Sequence, residues 1–142
     1  MKYWLNVVSR EHVLLGVAGG FTQAQHGKPT GLRHMTRGDA IVFYSPRTAM
    51  QGVPLRRFTA MGRITDDEPY QAEMTPDFHP WRRNVTFLEC HEAPIEPLIP
   101  QLAFLPNKQR WGFPLRRGLL EIPAEDFHLI TDAMGVEFDE TP

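Results

Sequence analysis

The chain consists of short apolar runs separated by loops rich in proline and glycine. Residues 3–8 (YWLNVV) are aromatic and β-branched, which predicts a strand buried on both faces. Residues 40–44 and 58–64 predict two further strands, and residues 84–90 alternate apolar and polar positions as a half-buried strand does. Residues 119–122 predict a last strand.

Two short helices are predicted from their caps and their apolar spacing. Ser9 is suited to cap the first helix, which Gly19 and Gly20 would end. Its expected buried face carries apolar residues at helical spacing: Val13, Leu14 and Val17. Pro123 suits the start of the second helix, and Gly135 suits its end. The expected buried face there comprises Phe127, Ile130 and Met134. Residues 95–99 predict a single helical turn.

This pattern predicts an α+β fold of five or six short strands with two or three short helices. Strands and helices do not alternate, so we expect a small closed or half-closed β-barrel decorated with helices, not a parallel α/β sheet. A chain of 142 residues is the size of one domain, which we place at residues 1–142. The long connections at residues 45–57 and 66–81 should be exposed, where binding residues are common.

Several functional classes lack their sequence signals. No run approaches the ~18 apolar residues of a membrane span, and no secretory cleavage pattern follows the apolar opening, so we expect a cytoplasmic protein. No two histidines have the spacing of a zinc site, and neither a phosphate loop nor a serine elbow occurs. The single cysteine, Cys90, suits a buried thiol better than a nucleophile. We therefore expect no metal, no cofactor and no catalytic residue.

The charges are unevenly distributed along the chain. Residues 1–65 carry nine basic and two acidic side chains, whereas residues 121–142 carry seven acids and no Lys or Arg. Twelve of the fifteen bases are arginine, which makes two-pronged contacts with phosphate and stacks on flat rings. The distribution indicates an anionic partner, although the net charge of −2 is not that of a typical nucleic-acid binder.

Aromatic residues lie beside cations in the predicted loops. Phe21 follows a double glycine, Tyr70 and Phe78 lie in the 66–81 connection, and Trp81 precedes Arg82-Arg83. Such pairs stack a nucleobase while holding its phosphates. The alternative interpretation is that these rings simply cover the core.

The ordered set of motifs resembles the EVE domain family, compact PUA-like barrels related to the YTH readers of methylated adenine. The resemblance runs over essentially the whole chain. It rests on YWL at residues 3–5, Ser9 and His12, Gly20-Phe21, GDAIVFYS at 38–45, FTAMG at 58–62, PWRRNVTF at 80–87 and RGLLEI at 117–122.

The resemblance implies a module that encloses a flipped, modified base in an aromatic pocket, with EVE members linked to modified cytosine in DNA. By order along the chain, the base pocket would comprise Ser9, Arg10, His12, Phe21, Thr22, Tyr44, Ser45, and Phe78 or Trp81 as a wall. The expected phosphate contacts are Arg47, Arg56, Arg57, Arg82 and Arg83. Many relatives carry Trp where this chain has Phe21.

The sequence therefore favours a non-catalytic, monomeric reader of a modified nucleobase in nucleic acid. Two alternatives remain open. One is a component of an RNA- or nucleotide-modifying enzyme, which would use His12 or His79 for proton transfer. The other is a small-molecule sensor without a nucleic-acid partner. The choice between DNA and RNA stays open, as does the identity of the base.

Overall fold

The computed structural model describes residues 1–140. Within that range the chain forms eight strands and two α-helices. They are β1 (Tyr3–Val7), α1 (Arg10–Gly19), β2 (Phe21–Thr22), β3 (Ala40–Arg47), β4 (Pro54–Ile64), β5 (Tyr70–Gln71), β6 (Trp81–Phe87), β7 (Ala93–Pro94), β8 (Leu119–Ile122) and α2 (Ala124–Ala133). Short 3₁₀ helices occur at Gln25–Gly27, Leu32–His34, Glu96–Gln101 and Pro114–Arg117.

The strands form one mixed sheet in the order β2-β6-β4-β3-β1-β8, with β5 added to β6 and β7 added to β4. Strand β1 runs parallel to β3, while the other pairs are antiparallel. The Asn6 amide of β1 donates to Thr22 Oγ1 at 2.9 Å and to the Gln23 carbonyl at 2.7 Å, at the far end of the strand order. The sheet therefore curls into a half-barrel, and the predicted α+β class is confirmed.

Both faces of β1 are buried, as predicted. Tyr3 and Leu5 enter a core cluster that α2 covers, whereas Trp4 enters a second cluster that also contains Val13 of α1. The clusters lie on opposite sides because successive side chains of a strand alternate. Val7 consequently faces the α2 side, and Asn6 faces the α1 side.

The caps of α1 agree with the prediction, but its buried face does not. Ser9 Oγ accepts from the backbone N–H of His12, and Gly20 ends the helix with φ 73°. Within α1 only Val13 and Gly16 are buried. Gly16 packs against the backbone of the following strand. Two residues of the predicted face, Leu14 and Val17, are exposed instead.

Helix α2 matches its prediction more fully, with the expected residues Phe127, Ile130 and Met134 all buried. The helix ends next to Gly135, whose φ of 75° suits a residue without a Cβ. No helix within residues 1–140 is both long enough and apolar enough to span a bilayer.

Strand β6 begins at Trp81, three residues before its predicted start. The supposed loop is a hairpin in which Tyr70 pairs with Arg82 and Gln71 with Trp81. Two further two-residue strands, β2 and β7, were also missed. Such short strands show no hydrophobic alternation, so the predicted count of five or six strands was too low.

Arg83 is fully buried at 0% exposure in the middle of β6. Its Nε lies 2.6 Å from Asp66 Oδ1, and its other nitrogens donate to the carbonyls of Leu32, Met35 and Asp66. A phosphate contact needs an exposed cation, so the prediction of that role for Arg83 is wrong. The side chain instead joins β6 to two loops.

We expect Arg83→Ala to lower the free energy of unfolding by about 3 kcal/mol or more, because it removes the cation paired with a mostly buried carboxylate and the hydrogen bonds donated to three carbonyls. Urea unfolding measures the change. The matched control is Arg82→Ala, which removes a half-exposed stacking contact and one hydrogen bond to Gln23 and should cost about 1 kcal/mol. Equal losses for the two variants would contradict the structural role assigned to Arg83.

Candidate nucleic-acid interface

The two-strand ladder of β2 and β6 positions the first group of candidate residues. Phe21 pairs with Asn84, and Thr22 pairs with Arg83. Alternation places Phe21 and Arg82 on one face of this ladder and Thr22 and Arg83 on the other. Because Arg83 is anchored inward, Arg82 is directed onto the ring of Phe21.

Arg82 covers the aromatic face of Phe21. The guanidinium carbon lies 3.7 Å from the ring centroid, and the Arg82 Nε donates to Gln23 Oε1 at 2.7 Å. Phe21 is only 8% exposed as a result of its close packing. Within residues 1–140 no other aromatic ring stacks on Phe21, and no carboxylate pairs with Arg82.

His12 lies in the first turn of α1, within electrostatic reach of Arg82. Burial lowers the pKa of the His12 imidazole below its usual value, and the positive charge of Arg82 lowers it further. His12 is therefore neutral at pH 7. Phe21, Gln23, Arg82 and His12, with the neighbouring Asn6 and Thr22, are called the Phe21 site below.

Asn6 is a buried polar residue behind this site, on the face of the β2–β6 ladder that carries Thr22. Because its amide nitrogen donates to Thr22 and to Gln23, its Oδ1 is oriented away from them and is the one buried side-chain polar atom of residues 1–140 without a hydrogen-bond partner. An unpaired buried acceptor costs about 1–3 kcal/mol.

A second group of residues lines a cavity of about 370 Å³ on the other side of β1. We call this cavity the arginine pocket. Its walls include Tyr44, Arg47, Arg56, Trp111, Leu115 and Arg116. Val7 also lines it, from the face of β1 opposite Asn6. The structure thus divides the single pocket predicted from the sequence into two separate sites.

The other predicted residues have different surroundings. Ser45 is fully buried, with its hydroxyl 2.8 Å from that of Thr59, so it is not accessible to a base. Arg10 forms an ion pair with Glu92 at 2.8 Å, and Ser9 caps α1. Arg57 is exposed beside a neighbouring groove.

The two candidate wall residues also differ. Trp81 is half-buried against the core cluster beneath α1, which suits a structural role. Phe78 is 40% exposed, and its ring lies against Gly27. Gly27 ends a turn in which Gln25, His26 and Gly27 all have positive φ, and such strained backbone is concentrated at functional sites. Neither ring contacts Phe21.

Sequence reasoning missed four residues of the two sites: Asn6, Gln23, Trp111 and Arg116. Asn6 interrupts an otherwise apolar strand, which is a signal that could have identified it. The other three lie in segments without a periodic pattern, and only the tertiary fold brings them to their sites. Within residues 1–140 no group of three or more His, Cys, Asp or Glu side chains could hold a metal ion.

Comparison with known proteins identifies relatives over nearly the whole chain. The family model described as the EVE domain matches residues 2–133. A UPF0310 protein of Mycobacterium avium is 58% identical over 135 residues, covering 94% of this chain and 98% of the relative. The UPF0310 protein YdcG of Bacillus subtilis is 42% identical over 136 residues, covering 95% and 93% respectively.

Solved structures share the fold at much lower identity. Protein Atu2648 from Agrobacterium tumefaciens superimposes with a TM-score of 0.61 at 12% identity, covering 100% of this chain and 97% of that chain. A protein from Pseudomonas putida gives a TM-score of 0.59 at 19% identity, with coverages of 93% and 99%.

Together these observations define a compact α+β domain built on a curled mixed sheet. The chain belongs to the EVE domain family. The family resemblance drawn from the sequence motifs is thereby confirmed.

We expect the pKa of His12 to lie below the ordinary histidine value of about 6.5 and to rise in Arg82→Gln, which removes the neighbouring charge. Titration of the imidazole resonances by NMR measures both values. Because the unfolded state binds this proton more tightly, His12 should lower the free energy of unfolding as the pH falls below about 6.5. An unchanged His12 pKa in Arg82→Gln would contradict the proximity of the two side chains.

Proposed function

We propose that this protein is a non-catalytic, PUA-like nucleic-acid-binding module that reads a modified base by taking the flipped base onto Phe21. The observation that carries the proposal is the planar guanidinium 3.7 Å from the centroid of the Phe21 ring. A nucleobase stacks on an aromatic face at the same spacing, and base–aromatic stacking contributes about 1–3 kcal/mol per base.

Arg82 is the residue that an entering base displaces. Its guanidinium is held on Phe21 by the ring and by Gln23, without a carboxylate partner among residues 1–140. Its release therefore breaks no ion pair. The freed cation then binds a backbone phosphate of the strand, where a charge-assisted, two-pronged hydrogen bond replaces its interactions with the ring and with Gln23. Stacking and this phosphate contact together offset the few kcal/mol that extruding a base costs.

An acceptor beside Phe21 suits a base that carries an exocyclic amine. Release of Arg82 frees Gln23 Oε1, which accepts from Arg82 Nε on the face of the β2–β6 ladder that carries Phe21. Cytosine presents a donor at N4 and adenine presents one at N6, whereas thymine has a carbonyl oxygen in the equivalent position. This chemistry supports modified cytosine in DNA, the base class that the family resemblance implies, and it leaves methylated adenine as the competitor to test.

The first test replaces the stacking surface. Phe21→Leu keeps an apolar side chain and removes the ring, so we expect affinity for the modified strand to fall about tenfold while affinity for the plain strand changes little. Fluorescence anisotropy measures both, with matched oligonucleotides that are unmodified or carry 5-methylcytosine, 5-hydroxymethylcytosine or methylated adenine.

Leu15→Ala is the control for this test, because it alters an exposed apolar residue of α1. Thermal unfolding of each variant verifies that the fold is intact. An equal loss of affinity for modified and plain strands in Phe21→Leu would disprove the role of Phe21 in reading the base.

The second test separates phosphate contacts from base recognition. We expect Arg82→Gln to weaken binding of modified and plain strands alike and to reduce the slope of log affinity against log salt by about one unit, because one phosphate contact is removed. Titrations at two salt concentrations give the slope. A slope equal to that of the unaltered protein would show that Arg82 does not reach the backbone.

A further inference from the structure

The arginine pocket carries the charge of an anion site. Three of its walls are arginines, Arg47, Arg56 and Arg116, and no carboxylate lines the cavity within the described residues. Cations that face a common cavity repel one another, so this arrangement is by itself electrostatically unfavourable. An anion held between them would remove this repulsion.

The guanidinium groups retain free donors. Arg47 donates through one nitrogen to the Gly52 carbonyl, and Arg116 makes no ion pair within residues 1–140. Arg56 lies 3.7 Å from an exposed Glu96, a distance at which the pair contributes little. Each guanidinium carries five N–H donors, so most of them remain available to a phosphate.

Tyr44 supplies a neutral donor at the same cavity. Its side chain is 2% exposed, and its hydroxyl has no hydrogen-bond partner among the described residues, although the ring packs edge-on against Phe58. Burial raises the pKa of the Tyr44 hydroxyl to about 12, so the group stays protonated and can donate.

The backbone at Arg56 is strained in a way that shapes this pocket. Arg56 has φ 57°, a left-handed conformation that non-glycine residues rarely adopt, and the pairing of β3 with β4 shifts register between Ser45 and Arg47. Bulges of this kind redirect side chains next to binding sites. The strain is therefore consistent with a selected position for the Arg56 guanidinium.

Trp111 adds a flat, half-buried surface to the wall. A cavity of about 370 Å³ has the size of small-molecule sites, which span ~300–1,000 Å³. We propose that the arginine pocket binds a nucleotide, with its phosphate between Arg47, Arg56, Arg116 and the Tyr44 hydroxyl and its base against Trp111. The site lies on the opposite face of β1 from the Phe21 site, so it stands independently of the function proposed above.

Calorimetric titration of the full chain with nucleoside 5′-monophosphates tests the site directly. We expect the monophosphates to bind and the corresponding nucleosides to bind at least tenfold more weakly, because the cations recognise the phosphate. Arg116→Gln should weaken binding about tenfold or more, and Tyr44→Phe should also weaken it. Arg117→Gln is the matched control, because Arg117 is exposed beside Arg116 but does not line the cavity.

Three further experiments test where the ligand binds and whether it is a free nucleotide or a strand end. Binding of inorganic phosphate as tightly as a monophosphate would overturn the role of Trp111, as would unchanged affinity in Trp111→Leu. A 5′-phosphorylated oligonucleotide that competes with the monophosphate, where the 5′-hydroxyl form does not, identifies a strand end as the source. Competition by free nucleotides alone identifies a small-molecule ligand.

The result that overturns the proposal is an absence of monophosphate binding at millimolar concentration and low salt, or binding that Arg116→Gln leaves unchanged. Phe21→Leu should leave monophosphate affinity unaltered. Failure of this proposal is therefore distinguishable from failure of the base-reading function, which is measured with modified oligonucleotides and depends on Phe21.

Discussion

The burial of Arg83 organises the region in which the Phe21 site forms. A guanidinium at 0% exposure loses its hydration, and this cost is offset only because Asp66 and three carbonyl groups accept its hydrogen bonds. These hydrogen bonds fix β6 against the loops at residues 32–35 and 66. Since side chains alternate along a strand, anchoring Arg83 on one face directs Arg82 to the other, where Phe21 lies. A structural ion pair thus determines the position of a neighbouring residue that is free to bind.

The same alternation separates the two sites across β1. Asn6 faces α1 and connects with Thr22 and Gln23, whereas Val7 faces α2 and lines the arginine pocket. A strand buried on both faces usually contains only apolar residues, so Asn6 is an exception. Its hydrogen bonds hold β1 against Thr22 and Gln23 in the curled sheet. A single strand therefore borders both candidate sites, one on each of its faces.

Much of the fold was predictable from the sequence because its long strands and its helix caps carry strong local signals. The strands at residues 3–7 and 40–44, the Ser9 cap and the buried face of α2 all agree with their predictions. The two-residue strands were not predictable, because pairing with distant residues defines them.

The residues of the candidate site were also predictable only in part. The sequence identified Phe21 as an aromatic candidate after a double glycine and Arg82 as a cation candidate after Trp81. Arg83 has the same sequence context as Arg82 but the opposite environment. Only burial distinguishes these two arginines.

The net charge of −2 does not describe how charge is distributed locally on this chain. Several carboxylates are already matched with arginines: Glu92 with Arg10, Asp67 with Arg37, and Asp66 with Arg83. These pairs contribute to the total charge of the chain, but their fields largely cancel locally. Arg82 at the Phe21 site and Arg47 and Arg116 at the arginine pocket have no such partner among residues 1–140. Because salt screens exposed charges beyond about 8–10 Å, a bound phosphate responds to these nearby unpaired cations more than to the acidic segment near the C-terminus. The local distribution of unpaired charge, rather than the sum, is what makes an anionic ligand compatible with an acidic protein.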